Sequence, residues 1–210
     1  MKKLVIVDTG AMARDVTAFA NLYGLCEIVG YTCSNEYVKS SKKDHSEWNI
    51  CALNELEQRY DKNDIELFVA TPPFWMLNRV WRDTFNAMKQ RGFRFATLTS
   101  PTATALSEHV GEGCCIENFA YLPTETKVGL NTLIDIFVNI AHYFKIGNYC
   151  SGGIRTIILG KVKIGDQCFV GVASTIFENV KIGHKYLTGG TTTIKKMCHS
   201  VSNVSFPLMG

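Results

Sequence analysis

Five histidines and eight cysteines are the side chains here that could do proton-transfer or nucleophilic chemistry near neutral pH. An imidazole titrates in that range and can accept a proton from an attacking amine or hydroxyl, whereas a thiol reacts or binds metal once ionised. Spacing separates the candidates. His142 stands two residues after Ile140, inside a run where an aliphatic residue returns at every sixth position. His109 precedes the first clear repeat, His184 follows Ile182 by two residues, His45 lies in a polar stretch and His199 near the tail; a surface role is expected for each. Cys114, Cys150, Cys168 and Cys198 fall in a column of small residues, where a thiol serves as a compact apolar filler. Cys26, Cys33, Cys51 and Cys115 form no C-x-x-C pair, so no metal site is expected.

The element that must position His142 is the repeat itself. Its aliphatic column reads Val110, Ile116, Leu122, Val128, Ile134, Ile140, Ile146, Gly152, Ile158, Ile164, Val170, Ile176, Ile182, Thr188, Ile194. Thirteen of these fifteen positions are Leu, Ile or Val, against about seven apolar residues of any kind in an average chain. Four residues after each aliphatic comes a mostly small residue, with Phe144 and Tyr186 the large exceptions. A glycine follows the aliphatic at Gly111, Gly129, Gly147, Gly165 and Gly183, a period of eighteen. Six residues suit one short strand and a bend, so three hexads close a triangular coil of a β-solenoid. Strand alternation sends the aliphatic residue and the small residue two places before it inward. The corner positions between them, His142 included, then face out, and glycine at a corner would tolerate positive φ.

Residues 1–99 follow a different grammar. Strands are expected at 4–7, 27–32, 65–70 and 93–98, and helices at 11–23, 53–60 and 74–91, with Pro72-Pro73 breaking the third strand. This is a small βαβ-type sheet, joined at Ser100-Pro101 to a solenoid domain over 100–210. Residues 34–48 are polar and expected to form a mobile loop. The turn over Asp8, Thr9, Gly10, Ala11 and Met12 sits where a nucleotide-binding fold places its phosphate loop. Only Gly10 of that turn is a glycine, which argues against a dinucleotide dehydrogenase. Net charge is +3 with the basic residues scattered, unlike a nucleic-acid binder. No stretch reaches the length of a membrane span, and the first apolar run is too short for a signal peptide; a soluble, cytoplasmic protein is expected.

A small Rossmann-like domain followed by hexapeptide repeats resembles the nucleotide-sugar and sialic-acid acetyltransferase family of NeuD and PglD type, and the resemblance covers most of the chain. The family's first turn, near GAGGHGREV, corresponds to residues 8–16, with Asp8 at its first Gly and Met12-Ala13 at its His-Gly. Its repeat segment, near IVEHDCVIG, corresponds to residues 138–147, and His142 matches the family's general base. The acidic residue that usually follows the base is Tyr143 here, and the second histidine of some members is Ser151. Asp135 falls where the family has Asn.

The resemblance implies a left-handed β-helix and acetyl-CoA as acyl donor; the histidines show no metal-ligand spacing, and a flat-sided prism whose outer faces must be covered leads to the expectation of a homotrimer with active sites between subunits. The resemblance further implies that His142 takes the proton of a sugar amine, that the Gly160 backbone N–H stabilises the oxyanion, and that Val172, Gly190, Lys195 and Lys196 line the acetyl-CoA groove. Gly10, Ala11 and Met12, with Asp135, Tyr143 and Ser151, would contact a nucleotide-linked amino sugar. An O-acetyltransferase acting on a sialic acid or glycan hydroxyl is the alternative within the class. A non-catalytic solenoid scaffold, which would bind no acetyl-CoA, is the alternative outside it.

Overall fold

A computed structural model describes residues 2–71 and 77–198. The N-terminal unit runs β1 (Lys3–Val7), α1 (Ala11–Tyr23), β2 (Glu27–Cys33), α2 (Val38–Asp44), β3 (Ile50–Ala52), a 3-10 turn (Leu53–Glu55), α3 (Leu56–Arg59), β4 (Ile65–Val69) and α4 (Leu77–Gln90). Its strands are parallel in the order β3-β2-β1-β4. Helix α1 buries Ala13, Val16, Phe19 and Ala20 on one stripe, the i, i+3, i+4 spacing of a core-facing helix. Gly24 ends it in the left-handed conformation, φ 59°, donating its N–H back to Ala20 and Asn21, which satisfies otherwise orphaned carbonyls.

Several expectations need correction. The start of the third predicted helix and the Pro72-Pro73 break lie outside the described residues, as does His199. No mobile loop occupies 34–48: α2 forms there, and His45 stacks on Trp48 (4.0 Å between centroids, 9°), which stacks on Tyr31 (3.8 Å, 8°). His45 is therefore buried, not a surface residue; burying aromatic faces outweighs the polar composition of the segment. The strand expected at 93–98 is divided. Phe95 bridges to Leu67 in the N-terminal sheet, while Leu98–Thr99 pairs with Cys115–Ile116 in the first sheet of the solenoid.

From residue 98 onward two-residue strands stack in parallel on three sides. The first side carries Leu98–Thr99, Cys115–Ile116, Leu133–Ile134, Ser151–Gly152 and Phe169–Val170. The second includes Tyr121–Leu122, Asn139–Ile140, Ile157–Ile158, Thr175–Ile176 and Thr193–Ile194; the third Lys127–Val128, Lys145–Ile146, Lys163–Ile164 and Lys181–Ile182. Partners are eighteen residues apart in the hexad run, as at Leu133↔Ser151 and Lys145↔Lys163, and seventeen apart where it begins, at Leu98↔Cys115. The core holds the aliphatic column and the small column together, with Phe144 fully enclosed.

The corners are built differently from expectation. Positive φ falls on non-glycine residues three places after the aliphatic, among them Phe137, Tyr143, Tyr149, Arg155, Lys161 and Asn179, with φ from 57° to 62°. Such residues prefer negative φ by roughly 1 kcal/mol, but here the turn aims each N–H along the stack. Lys161 donates to the His142 carbonyl at 2.9 Å and Asn179 to the Gly160 carbonyl at 2.9 Å. The recurring glycines serve close approach instead: a Cβ at Gly129 would lie 2.5 Å from the Gly147 carbonyl carbon, and one at Gly165 2.9 Å from that of Gly183.

The outer surfaces differ in chemistry. The first side is covered by the N-terminal unit, where Cys115 and Leu133 join that unit's core and Phe85 of α4 meets Tyr149 edge-on at 5.9 Å. Asn86 accepts from the Tyr149 hydroxyl (2.7 Å), Arg82 donates to Gln167 (2.9 Å), and Lys89 pairs with Glu112 (2.7 Å). The second side shows Tyr121, Asn139, Ile157, Thr175 and Thr193, all uncharged. On the third, Lys127, Lys145, Lys163 and Lys181 stand in register, so basic residues that look scattered in sequence form one ladder in the fold.

Candidate active site

The corner between the second and third sides carries His142. Eighteen residues on, Gly160 occupies the same corner of the next coil, and the two are in van der Waals contact. A Cβ built on Gly160 would lie 3.0 Å from His142 Nε2 and 3.2 Å from Cε1. Only a residue without a side chain leaves the imidazole room there. His142 is exposed while Gly160 is buried beneath it. Tyr143 presents its ring edge-on to the imidazole (5.4 Å, 88°) and is itself exposed. No carboxylate or carbonyl holds either imidazole nitrogen among the described residues, so packing alone orients the ring.

The Gly160 N–H has no acceptor among the described residues, while its carbonyl accepts from Asn179. The N–H groups of Ile154 and Val172, at the same position of their own hexads, likewise have no acceptor among the described residues, so the coil leaves this donor unused. Here it lies at the residue that touches the imidazole, where an oxyanion acceptor would satisfy it. Further along the same corner come Phe177 and Glu178, then Lys195 and Lys196. The Lys195 ammonium sits over the Phe177 ring at 5.2 Å; both lysines are exposed.

The remaining solenoid candidates are elsewhere on the prism. Val172 and Gly190 stack at the corner between the first and second sides, where a Cβ on Gly190 would lie 3.2 Å from Val172 Cγ2 and Thr191 donates to the Val172 carbonyl at 2.7 Å. Asp135 belongs to that corner too, its Oδ1 accepting from Ile136 N–H at 2.7 Å. Burial pushes the Asp135 carboxyl up from its ordinary range. Glu117, eighteen residues earlier and not foreseen, is also raised, by burial first and then by the Asp135 charge; the period of the repeat would have found it. Ser151 is buried on the first side, beneath the N-terminal unit. One chain therefore presents His142, Gly160 and the lysines on one corner, and Asp135, Val172 and Gly190 on another.

Gly10, Ala11 and Met12 form the entry to α1, Gly10 as its N-cap without any side-chain cap. The adjacent carboxylate is the feature that sequence reasoning undervalued. Asp8 has φ 108°, its Oδ1 accepts from the N–H groups of Thr9 (2.6 Å) and Gly10 (3.0 Å), and its Oδ2 from the Thr71 hydroxyl (3.1 Å). His184, at another corner, accepts the Asp166 N–H on Nδ1 at 2.9 Å. Among the described residues no group of three or more His, Cys, Asp and Glu side chains is placed to hold a metal ion, and no helix is long and apolar enough to cross a membrane.

No protein-family model and no curated protein sequence matches this chain. Solved structures do match over nearly its whole length. A His→Asn mutant of perosamine N-acetyltransferase from Caulobacter crescentus, in complex with CoA and GDP-perosamine, superposes with a TM-score of 0.79 at 18% identity, covering 95% of this chain and 91% of that one. The acetyltransferase domain of PglB from Neisseria gonorrhoeae FA1090, in complex with acetyl coenzyme A, gives 0.78 at 15% identity over 94% and 93%. WeeI from Acinetobacter baumannii AYE gives 0.76 at 14% identity over 95% and 94%. At these identities the likeness establishes a shared fold.

Proposed function

We propose that this protein is an acetyl-CoA-dependent N-acetyltransferase acting on the amine of a nucleotide-linked amino sugar. The observation that carries the reading is the pairing of an exposed imidazole with the unpaired N–H of the glycine it rests on. A base and an oxyanion donor within one contact are what acyl transfer to an amine needs. The shared fold with structures that hold CoA, acetyl coenzyme A or GDP-perosamine supports it.

In this reading the amine nitrogen attacks the thioester carbonyl carbon and its proton passes to His142. The carbonyl π electrons move onto oxygen, where the Gly160 N–H meets the charge. Collapse re-forms the carbonyl, breaks the C–S bond and leaves a thiolate that takes the proton back from His142. The products are the amide and free CoA thiol, and the base is restored. A free amine is the stronger nucleophile and gains less than a hydroxyl from a strongly oriented base, so a His142 without an acidic neighbour favours N- over O-acetylation.

The acyl donor lies along Val172 and Gly190 with its phosphates toward Lys195 and Lys196, and the acceptor reaches Asp135 and Tyr143 on one side and Gly10, Ala11 and Met12 on the other; Ser151, buried beneath the N-terminal unit, is out of its reach. These residues stand on two different corners, and a neighbouring copy is the simplest way to bring the corners together. The uncharged second side between them is the surface suited to that contact. The reading thus includes a homotrimer of left-handed prisms with sites between subunits.

The test is an acetylation screen over nucleotide-linked amino sugars and their hydroxyl counterparts, following thiol release from acetyl-CoA. Release that depends on an amino sugar is expected. Absence of acetyl-CoA binding would overturn the reading in favour of an inert scaffold, and release only with hydroxyl acceptors would move it to O-acetylation.

A further inference from the structure

The N-terminal unit holds a cavity of about 520 Å³ at the C-terminal ends of β1 and β2, where Asp8, Thr9 and Gly10 meet the start of α2. In open parallel sheets this crevice is where ligands bind, and the loop entering the first helix ordinarily offers backbone N–H groups to a phosphate. Here two of those N–H groups already serve an anion that belongs to the chain. Asp8 Oδ1 takes Thr9 and Gly10, and Oδ2 is held by Thr71.

Asp8 keeps this arrangement at φ 108°, outside the range comfortable for a residue with a Cβ. Backbone strain of this kind persists when the surroundings over-determine it and clusters at binding sites. The rest of the lining agrees in charge. Asp44 adds a second carboxylate, while Ser34, Tyr37, Ser40 and Thr84 add hydroxyls, and no lysine or arginine lines the cavity among the described residues. Cations stand just outside it: Arg14 is 3.4 Å from the Nε2 of His45, and the charge of Lys42 acts on the thiol of Cys33, both lining residues.

We propose that Asp8 acts as the loop's own anion, so that the cavity receives the uncharged, hydroxyl-bearing nucleoside of the acceptor and turns its phosphoryl groups away. This rests on the reading that the N-terminal unit holds the nucleotide end of the substrate. The lone pair left on Oδ2 can accept from one hydroxyl of a ribose. The same carboxylate repels a phosphoryl oxygen brought to the loop, by an amount that weakens binding roughly ten- to a hundredfold at contact distances. The phosphates then lie outside the cavity, toward the solenoid.

Calorimetric titration of the full-length protein with the common nucleosides and their 5′-diphosphates tests this, on the native chain and on Asp8→Asn and Asp8→Gly. Asn keeps an oxygen for the Thr9 and Gly10 N–H groups without the charge, and Gly accepts φ 108° without strain, so a folding defect in one is checked by the other. At least one nucleoside should bind the native protein, with its diphosphate no more than tenfold tighter. Both substitutions should shift that ratio at least tenfold toward the diphosphate, Gly the further because it also frees the two N–H groups. A native preference for diphosphate above tenfold, no nucleoside binding, or a ratio that shifts less than tenfold in both variants would overturn the proposal. Failure of acetyl transfer is separate: a chain that follows this binding order without acetylating any amine would refute the catalytic reading and leave this one standing.

Discussion

Substituting Gly160 by Ala tests the proposed active site through a single methyl group. The added Cβ would meet His142 Nε2 at 3.0 Å and Cε1 at 3.2 Å, so the ring must retreat by a few tenths of an ångström. Gly160 is absent from the positive-φ residues, so its backbone accepts Ala, and the melting temperature should hold within a few degrees. Misplacing a reacting group by about 1 Å can cost roughly 10²-fold. A few tenths should therefore lower kcat by about tenfold, or ~1.4 kcal/mol. Removal of the ring in His142→Ala should cost about 10²–10⁴-fold. The two effects must not add, because a methyl that acts by displacing an imidazole has nothing to displace once the imidazole is gone. The assay is thiol release from acetyl-CoA at saturating acceptor, on both single variants and the double. Native turnover in Gly160→Ala, or the same tenfold loss in the His142→Ala background, would refute the packing argument.

Other outcomes follow from the same geometry. As pH rises and the acceptor amine deprotonates unaided, His142→Ala should recover part of its rate while the native protein gains less; parallel pH profiles would count against the proposed general base. Light scattering at micromolar concentration should report three chains per particle, and a monomer would remove the inter-subunit site. Burial holds the Asp135 carboxyl above its unfolded value, so it weakens the fold once ionised: stability is greatest below the ordinary carboxylate range and falls as pH rises through the raised value. Asp135→Asn keeps an acceptor for the Ile136 N–H and should raise the melting temperature at neutral pH but not in acid, which thermal melts across that window would show. Burial pushes the Cys114 thiol up to about 12 and those of Cys115 and Cys150 well above the usual thiol range, whereas Cys198 is half-buried. One of the eight thiols should react rapidly with an aromatic disulfide in the native protein, and fast labelling of several would contradict the closed prism.

The sequence by itself determined the solenoid and its register. Inward positions of a six-residue coil must be apolar or small, so Ile140, Ile146 and Ile158 declare the coil, and an offset of eighteen then sets His142 over Gly160 without any coordinate. The same period holds Glu117 beneath Asp135 and the lysines of the third side, but an outward charge is not required for a coil to close, so charged columns do not announce the fold as inward ones do. The N-terminal strands and α1 were legible from ordinary apolar periodicity.

Only the tertiary structure decided the rest. Whether a corner glycine stands for positive φ or for close stacking depends on the distance to the next coil, and Gly129 and Gly165 proved to be the second kind. Residues 34–48 look like a solvated loop until Tyr31, Trp48 and His45 are brought together, since an aromatic stack is a non-local contact that polar composition hides. The covering of the first side by α4, which buries Ser151, depends on how two separately folded units meet. Asp8 is the sharpest case. As a letter it is one more polar residue in a strand-to-helix turn; in space its Oδ1 accepts from the Thr9 and Gly10 N–H groups and its Oδ2 from Thr71, a meeting of β1 with the end of β4 that no local pattern encodes.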